Sequence, residues 1–554
     1  MNGSARRVAA SLMCAAATAC IAAAAASAPA PSETPRGPLV RRVSARPDSI
    51  EGMRIARVEI LPRNVYDADE QGRLAPLHRL ANRLHIRTRR STVRQQLLFA
   101  PGDPWKESVA LETGRNLRAL NYLEPSRIAA TRSGDSVSAV VETRDFWTTR
   151  PEINLESSGG TQYGSVGFTE RNLLGLGKSL SILFRSQPTG NSRLLAWEDP
   201  AVLSSRHQLQ IRATRGQEDA SDRYTLGLPF YSVEAPRSYW ADWQRSRSVP
   251  RLYRAGIEAA RMDRHIEYAR ASYAWKIADT DLVRRLEVSF ESLDRSLSGT
   301  RLAPGAPADF AGAPEDLRLR RVNLGWSAWR PRYVELVDID RMDRVEDFDL
   351  GVRGALTIGF SPRAFGSGQD EGYFEASLGA GLEALNGFGW LRASGSSRMV
   401  PEAQEVIGSL DARWYVLPYP GHTLVLAAHG VVGDKVPNDF QVVVGGLDGL
   451  RAYPVLAVAG QRLWRLNAEE RWIFSPPSWQ LAKLGAVTFL DAAKAWGLGA
   501  EGTDWHHDAG VGLRVGLPIL GVAEVLRVDV AWPLVPTRDG RREPVLSIGS
   551  SQAF

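Results

Sequence analysis

The sequence predicts a mainly β protein in which a small α+β domain precedes a large antiparallel β-barrel that crosses a membrane. Three observations predict this fold class. From Pro151 onward, short segments alternate apolar and polar residues, as strands do when one face meets lipid and the other a lumen. Beyond roughly the first thirty residues there is no run of eighteen apolar residues, so no transmembrane helix is predicted. The composition, 44% hydrophobic and 23% charged, is too apolar for a disordered chain and too polar for a helical membrane protein.

The beginning of the chain predicts a secretory signal peptide over residues 1–26. Two arginines precede an Ala-rich apolar stretch, and Ala24-Ala25-Ala26 offers a small-residue cleavage site. A membrane anchor is the alternative, but the stretch is short and prolines follow it. Lipidation of Cys20 is disfavoured, because Ala17 stands where a lipidated cysteine usually has Leu. Since the second cysteine, Cys14, also lies in this segment, the exported chain is expected to use no disulfide, thiolate ligand or cysteine nucleophile.

The next part of the chain predicts a linker and a compact domain. Residues 27–52 are rich in Pro, Ser and Arg, and residues 53–145 predict an α+β domain in the order β-α-α-β-β. Alternation over 54–60 predicts its first strand, and alternation over 127–131 and 137–143 predicts a hairpin. Two helices are predicted between these strands.

Both helices are predicted from apolar residues at helical spacing. The first covers residues 89–99, with Ser91 as its N-cap, and the second covers 107–120. A domain of this size is expected to be only marginally stable when it folds alone.

Charge is concentrated in this N-terminal part. Residues 36–150 contain 21 Lys and Arg against 13 Asp and Glu, a net charge of +8, whereas residues 151–554 carry a net charge of −3. A basic domain suits anionic lipid head groups, acidic polypeptide segments or nucleic acid. Because the chain is predicted to be exported, nucleic acid is the poorest of these partners and is not expected.

Residues 146–554 predict the barrel. About twenty alternating segments can be marked, and an outer-membrane barrel needs an even number of strands of about ten residues each. The clearest segments are 153–157, 164–171, 179–185, 194–198, 208–214, 224–230, 268–275, 286–292, 322–329, 350–360 and 374–382. A soluble β-sandwich or propeller is the alternative, although no forty-residue repeat supports a propeller. Residues 331–347 fit neither a strand nor a tight turn.

The last residue favours the membrane barrel over the soluble alternatives. Phe554 ends an alternating run, and outer-membrane barrels characteristically end on an aromatic residue that their assembly machinery reads. Phe554 is therefore predicted to be the C-terminal assembly signal.

No pattern predicts an enzyme, a cofactor site or a metal site. Residues 497–502 match G-x-G-x-x-G, but no helical pattern follows to hold a pyrophosphate. His506 and His507 are adjacent, so on a strand they point to opposite faces and cannot easily share one ion. G-x-S-x-G and H-E-x-x-H do not occur. We expect no catalytic residue, no bound cofactor and no metal ligand.

One Gly-rich segment does carry a distinctive pattern. Gly445 and Gly446 begin it, and Leu450-Arg451-Ala452-Tyr453 places a single arginine between apolar residues. Downstream, alternation predicts a strand that puts Glu469 on the face opposite Ala468, and a second strand that includes Asp491.

These residues resemble motifs of the BamA/TamA-like outer-membrane barrels, which insert or translocate proteins and carry periplasmic POTRA domains. Residues 450–453 resemble the family's V-R-G-F/Y loop motif, with Ala452 where the family has Gly. Residues 467–469 resemble the family's next strand motif, and 489–496 resemble its F-x-D-x-G-x-x-W strand. The resemblance implies a sixteen-stranded barrel, whereas the segments of this sequence allow up to about twenty strands.

The resemblance also implies where the arginine lies and what the protein does. The Gly-rich loop is expected to fold back into the lumen, where Arg451 contacts Glu469 and Asp491; we name these three residues the lumen lock. Residues 53–145 are expected to be one POTRA domain in the periplasm, with the barrel in the outer membrane. The implied partners are outer-membrane lipids, polypeptide clients, the barrel-assembly machinery for the chain's own insertion, and a periplasmic or inner-membrane protein.

Other functions remain open at this point. A passive channel or structural barrel explains the strand pattern and Phe554, but it does not explain the basic domain or the Arg451 loop. A two-partner-secretion translocator with one dedicated exoprotein is a narrower version of the family's activity. A soluble exported hydrolase is the enzyme alternative, and the sequence has no nucleophile or metal motif to support it.

Overall fold

The computed structural model shows a small α/β domain attached to a large β-barrel. It describes residues 50–66, 75–158, 161–187, 190–254, 256–278, 281–308, 310–311, 315–342, 344–437, 439–446, 449–474, 482–498, 500, 504–516, 525–537, 540 and 542–550. The predicted signal peptide, most of the predicted linker, and Phe554 lie outside these residues.

In its described residues, the N-terminal domain combines a three-stranded sheet with three helices. In chain order its elements are β1 (Arg54–Arg63), α1 (Ala75–Leu84), α2 (Arg90–Gln96), α3 (Glu107–Ala119), β2 (Leu123–Ser133) and β3 (Ser136–Asp145). The sheet order is β1-β3-β2, with β1 parallel to β3 and β2 antiparallel to it. Buried apolar residues from all three strands and from α2 and α3 form one core between the sheet and these helices.

Two details of this domain differ from the prediction. The sequence predicted two helices, whereas the described residues form three. The prediction missed α1, because the apolar residues of this helix lie on an exposed face rather than toward the core. The predicted N-cap Ser91 is wrong: α2 begins at Arg90, after Arg89, and no side chain caps it. None of the helices in the described part of the chain is long and apolar enough to cross a membrane.

The barrel is a closed antiparallel sheet. Its strands are β4 (Thr149–Ser158), β5 (Thr161–Leu173), β6 (Lys178–Gln187), β7 (Gly190–Asp199), β8 (Gln208–Gly216), β9 (Asp219–Leu228), β10 (Arg237–Ser248), β11 (Arg251–Arg254), β12 (Ile257–Ala278), β13 (Val283–Leu302), β14 (Leu317–Arg330), β17 (Val352–Ser361), β18 (Glu371–Ala384), β19 (Gly387–Val400), β20 (Glu402–Val416), β21 (His422–Asp434), β24 (Arg462–Ile473), β25 (Lys483–Trp496), β26 (His506–Gly516), β27 (Val525–Pro533) and β28 (Val545–Ser550).

The described strands correct the count that the resemblance implied. Short β11 follows β10 and pairs with the same neighbour, β12, so the two form one interrupted strand. With that pair counted once, the described residues form twenty barrel strands rather than sixteen. The even number places the first and last strands antiparallel, so β28 and β4 can close the sheet.

Side chains alternate across the barrel wall as the sequence predicted. In β25, Val487, Phe489 and Asp491 are buried toward the lumen, whereas Leu490 between them is exposed on the outer surface. The same alternation in other strands leaves large apolar side chains exposed around the barrel. Examples are Val166, Phe168, Ile182, Phe184, Leu195, Tyr224, Leu226, Trp243, Tyr273, Val288, Phe290, Val322, Leu324, Trp326, Leu356, Ile358, Leu391, Leu426, Leu466, Val511, Leu513, Leu526, Val528, Trp532 and Ile548.

Two further hairpins connect barrel strands. β15 (Tyr333–Val337) and β16 (Val345–Asp349) pair between β14 and β17, and together they account for the segment 331–347 that fitted no predicted element. We name residues 331–350 the plug hairpin. β22 (Val442–Val444) and β23 (Val458–Gly460) pair between β21 and β24, and they form the stem of the Gly-rich loop.

Candidate functional site: the barrel lumen

The Gly-rich loop enters the lumen from one end of the barrel. Its stem, β22 and β23, holds the two ends of the loop together. Gly445 has a φ of +152°, and a Cβ there would lie 2.1 Å from the carbonyl oxygen of Pro454. The backbone therefore turns at a position where only glycine fits. The turn directs Leu450, Arg451 and the following residues into the lumen, where their side chains are buried.

Arg451 contacts both predicted partners. Its Nε and Nη2 donate to the two carboxylate oxygens of Asp491 at 2.8 and 3.0 Å, which is a bidentate pair. Its Nη1 donates to Glu469 at 2.8 Å. The guanidinium also lies over the ring of Phe489, 3.3 Å from its centroid. The side chains of Arg451, Glu469 and Asp491 are all 0% exposed, so the structure brings the three residues together in a space that water does not reach.

Residues that the sequence analysis did not assign extend this cluster. Asp529 accepts a hydrogen bond from Arg514 at 2.5 Å and lies 3.5 Å from Arg451. Arg514 also donates to Glu469 at 3.3 Å, so Glu469 lies between two arginines. Alternation along β26 and β27 places Arg514 and Asp529 on the lumen face, and this alternation is the signal that could have identified them.

The residues beside Arg451 attach the loop to the wall. The Ala452 N–H donates to the carboxylate of Asp508 at 3.0 Å. The Tyr453 hydroxyl lies 2.7 Å from the carbonyl oxygen of Val535 and 3.1 Å from that of His507, so its single proton is shared between these two acceptors. Gly446 donates its N–H to the carbonyl oxygen of Tyr453, which closes the loop on itself. Leu450 packs in an apolar cluster with wall residues of β24, β25 and β27.

The plug hairpin enters from the opposite end of the barrel. Asp340 near its tip accepts hydrogen bonds from Arg471 of β24 at 3.2 Å and from Tyr415 of β20 at 2.8 Å. Met342 lies against Gly485 and Gly516, where a Cβ would come within 3.1 and 2.8 Å of its side chain. The tip therefore sits against wall strands that have glycine at the positions of contact.

Charged side chains connect the N-terminal domain to the lumen lock through this hairpin. Arg118 of α3 donates to Asp347 at 2.6 and 2.7 Å and to Glu335 at 2.8 Å. At the far end of the hairpin, Arg471 bridges Asp340 and Glu469, and its Nε donates to Glu469 at 2.8 Å. Because Glu469 also binds Arg451, the loop and the hairpin meet at one carboxylate.

The N-terminal domain is also attached directly to the barrel rim. The Thr88 hydroxyl accepts a hydrogen bond from the Asn172 amide at 2.8 Å, and the Thr88 N–H donates to Asp145 at 2.7 Å. On α3, Asn116 donates to the carbonyl oxygen of Tyr231 at 3.0 Å, and Glu112 accepts from the Val233 N–H. Burial raises the pKa of Asp145 to about 6, although the hydrogen bond from the Thr88 N–H acts in the opposite direction.

Of the remaining site residues that the sequence predicted, the structure describes all but Phe554. Gly445, Gly446, Leu450, Ala452 and Tyr453 all lie in the loop that carries Arg451. Phe554, the predicted assembly signal, lies outside the described residues. Within the residues that are described, no group of three His, Cys, Asp or Glu side chains is arranged to hold a metal ion.

Comparison with known proteins finds similarity at the level of fold. No family model and no curated protein matches the chain. CdiB from Escherichia coli is similar over 91% of this chain and 77% of its own, with 13% identity and a TM-score of 0.43. CdiB from Acinetobacter baumannii is similar over 90% and 74%, with 11% identity and a TM-score of 0.42. BamA from Haemophilus ducreyi lacking POTRA domains 1-3 is similar over 89% and 84%, with 12% identity and a TM-score of 0.38.

Proposed function

We propose that this chain is an outer-membrane barrel that inserts or translocates polypeptides, with a POTRA domain at 53–145 that lies in the periplasm. The contact of Arg451 with Glu469 and Asp491 carries this proposal. The resemblance to BamA/TamA-like barrels implies this contact, and the contacts made by the Arg451 side chain agree with it. No covalent chemistry or cofactor is part of the proposed activity.

The outer surface supports a location in a membrane. Soluble proteins rarely expose large contiguous apolar patches, yet apolar side chains are exposed on the outward face of strands around this barrel. The lumen face carries buried charged residues in the same strands. This distribution is the one expected for a barrel with lipid outside and a polar interior.

Two elements inside the lumen, the Gly-rich loop and the plug hairpin, favour a gated activity over a passive channel. The Gly-rich loop lies in one part of the lumen and is fixed to the wall by a buried ion pair, and the plug hairpin lies in another part and is fixed by a half-buried ion pair. We propose that both elements move aside when a polypeptide passes. The arrangement in which both lie in the lumen is then the resting state.

Two strand edges provide sites for a client. In the N-terminal sheet, the start of β1 is covered by backbone hydrogen bonds to residues 102–105, so β2 is the edge that can accept an extended client by β-augmentation. In the barrel, β28 and β4 are the last and first strands of the closed sheet, and they pair at Ile548 with Ser157. We propose that the β28–β4 seam opens for the client.

A deletion strain tests the proposal. Outer-membrane and secreted proteins are measured by quantitative proteomics in the deletion strain and after complementation with the wild-type gene. Arg451→Ala is the test variant, and Arg462→Ala is the matched control, because Arg462 makes an exposed ion pair with Asp434. We expect specific client proteins to be lost in the deletion strain and restored by wild type and Arg462→Ala, but not by Arg451→Ala.

Three other results would contradict or narrow the proposal. An unchanged surface and secreted proteome in the deletion strain would contradict polypeptide handling. Large, stable openings of the wild-type protein in a planar bilayer would favour a passive channel instead. Loss of one exoprotein alone would narrow the function to two-partner secretion.

A further inference from the structure

Helix α1 presents an apolar stripe that the described part of the chain leaves uncovered. Leu77, Leu80 and Leu84 lie at helical spacing along one side, and they are 54%, 53% and 66% exposed. Three large apolar side chains along one helix face are costly to leave in water. Such a stripe marks a surface that meets an apolar partner.

The other side of α1 is already packed, so the stripe has no core of its own to join. The His78 ring stacks on the Tyr66 ring with their centroids 4.1 Å apart. The Asn82 amide donates to the carbonyl oxygen of Tyr66 at 2.8 Å and accepts from the Tyr66 N–H at 3.1 Å. These contacts fix the rotation of the helix, and they turn the leucine stripe away from the domain.

The helix ends beside the strands that begin the barrel. His85, directly after α1, lies against Trp147, which precedes β4, with their ring centroids 6.1 Å apart. Four residues later, the Arg89 N–H donates to the carbonyl oxygen of Gly175 in the β5–β6 turn at 3.0 Å. Leu174 in that turn is also an exposed apolar residue.

The positive charges around the stripe favour binding to an anionic surface. Arg79, Arg83 and Arg87 are exposed on or next to α1, and residues 75–94 contain no Asp or Glu. A helix with an apolar stripe, a basic flank and a position at the base of a membrane barrel has the features of an interfacial helix. Its arginines can reach lipid phosphates while the leucines meet the acyl chains.

We propose that α1 lies in the periplasmic leaflet of the membrane that holds the barrel, with Leu77, Leu80 and Leu84 among the acyl chains and the arginines at anionic phospholipid head groups. This inference rests on the proposed membrane location of the barrel. It gives the N-terminal domain a second attachment, next to strand β4 of the seam, so the local bilayer and the domain are held together where a client would enter.

Site-specific labelling of the full-length exported protein tests this inference. Both native cysteines lie in the predicted signal peptide, so Leu80→Cys and Leu84→Cys each give a single labelling site. An environment-sensitive fluorophore is attached, and the protein is reconstituted in vesicles of phosphatidylethanolamine and phosphatidylglycerol that contain a spin-labelled phospholipid. Asp135→Cys, in the exposed β2–β3 turn, is the matched control. Heat-modifiable gel mobility verifies that each variant has a folded barrel.

We expect a blue-shifted emission and several-fold stronger quenching by the spin-labelled lipid at Leu80 and Leu84 than at Asp135. The quenching should fall in vesicles of zwitterionic lipid alone and in the Arg79→Gln, Arg83→Gln, Arg87→Gln variant. Water-like emission without quenching at Leu80 and Leu84 in a heat-modifiable barrel would overturn the inference and leave the proposed function intact. A blue-shifted emission that appears only when an unfolded polypeptide is added, and not with lipid, would also overturn the inference. The stripe would then be a protein-binding surface. A chain without a heat-modifiable barrel would refute the membrane location on which both proposals rest.

Discussion

At the scale of single residues, Arg451 is a fully buried cation, and its neighbouring carboxylates are what make its burial tolerable. Asp491 binds it in the planar bidentate geometry that a guanidinium provides and an ammonium does not. Removing one side of a buried pair leaves an uncompensated charge, which typically costs about 3–5 kcal/mol. Exposed pairs contribute far less, about 0–1 kcal/mol.

We therefore predict that Arg451→Ala lowers the stability of the folded barrel by about 3–5 kcal/mol and that Arg451→Lys is also harmful. Glu469→Ala and Asp491→Ala should each have a similar effect. The measurement is urea unfolding of the barrel in detergent, followed by heat-modifiable mobility, with Arg462→Ala as the exposed control. Wild-type stability and function in all three alanine variants would show that the lumen lock does not exist.

The raised pKa of Asp145 predicts that the stability of the N-terminal domain depends on pH. An ordinary Asp titrates near pH 3.9, whereas burial raises the pKa of folded Asp145 to about 6. Between these values the folded state binds more protons than the unfolded state, so the free energy of unfolding falls as pH rises from about 4 to about 6, by up to roughly 3 kcal/mol. Burial also lowers the pKa of neighbouring His85, which opposes this trend below about pH 6.5.

Asp145→Asn should remove the dependence and stabilise the domain at pH 8, because the amide oxygen can still accept the Thr88 N–H. Hydrogen exchange of amides in 137–145 of the full-length protein, corrected for intrinsic rates and measured at pH 5 and pH 8, reports this stability. His85→Gln in both backgrounds separates the contribution of the histidine. An unchanged difference between pH 5 and pH 8 in Asp145→Asn would show that another group titrates.

At the scale of elements, the plug hairpin joins the N-terminal domain to the barrel wall. Its base is held by Arg118 of α3, and its tip is held by Arg471 of the barrel wall. Since Arg471 also binds Glu469, the hairpin and the ion pairs at its two ends join the N-terminal domain to the lumen lock. In the proposed function, this path is the one that would couple client uptake to opening of the lumen, and the variants below test it.

We predict that Arg118→Ala and Asp340→Asn each raise the ion conductance of the reconstituted barrel, because each releases one end of the plug hairpin. Single-channel recording in planar bilayers measures the effect, and the double variant should exceed either single variant. Arg301→Ala, which removes an exposed pair with Asp263 on the barrel, is the matched control. Wild-type conductance in the double variant would show that the hairpin does not close the lumen.

At the scale of the whole molecule, the proposed membrane location places the outward apolar surface of the barrel against lipid. Leu490 lies near the middle of β25 on this surface, and an arginine at the bilayer midplane of a barrel costs about 2–4 kcal/mol. Leu385 is also an exposed leucine, but it lies in the turn between β18 and β19. The two leucines therefore separate a lipid-facing position from a water-facing one.

We predict that Leu490→Arg destabilises the folded barrel in lipid vesicles by about 2–4 kcal/mol and that Leu385→Arg changes its stability by less than about 1 kcal/mol. The wild-type protein should fractionate with the outer membrane and migrate differently on gels before and after boiling. Equal, small effects of the two substitutions would mean that the outward face of β25 does not meet lipid.

Much of the molecule follows from short-range patterns in its sequence. Alternation within single strands is enough to predict the barrel class and to place Glu469 and Asp491 on the lumen face, because the side-chain period of a strand is two. A glycine pair and a lone arginine indicate the loop. The helix α1 could also have been found from Leu77, Leu80 and Leu84 at helical spacing, although the prediction treated apolar spacing as evidence for a core.

Tertiary structure alone decided the rest. The number of strands depends on which segments pair, and β10 with β11 shows that two alternating segments can form one strand. The plug hairpin has no distinctive local pattern, because its position is determined by contacts with Arg118 and Arg471, which are more than a hundred residues away in sequence. Asp529 and Arg514 join the lumen lock only when β26 and β27 close beside β25. Sequence thus determined which face of its strand each side chain takes. Closure of the sheet determined which side chains meet, because burial and ion pairing between residues far apart in sequence depend on the whole barrel.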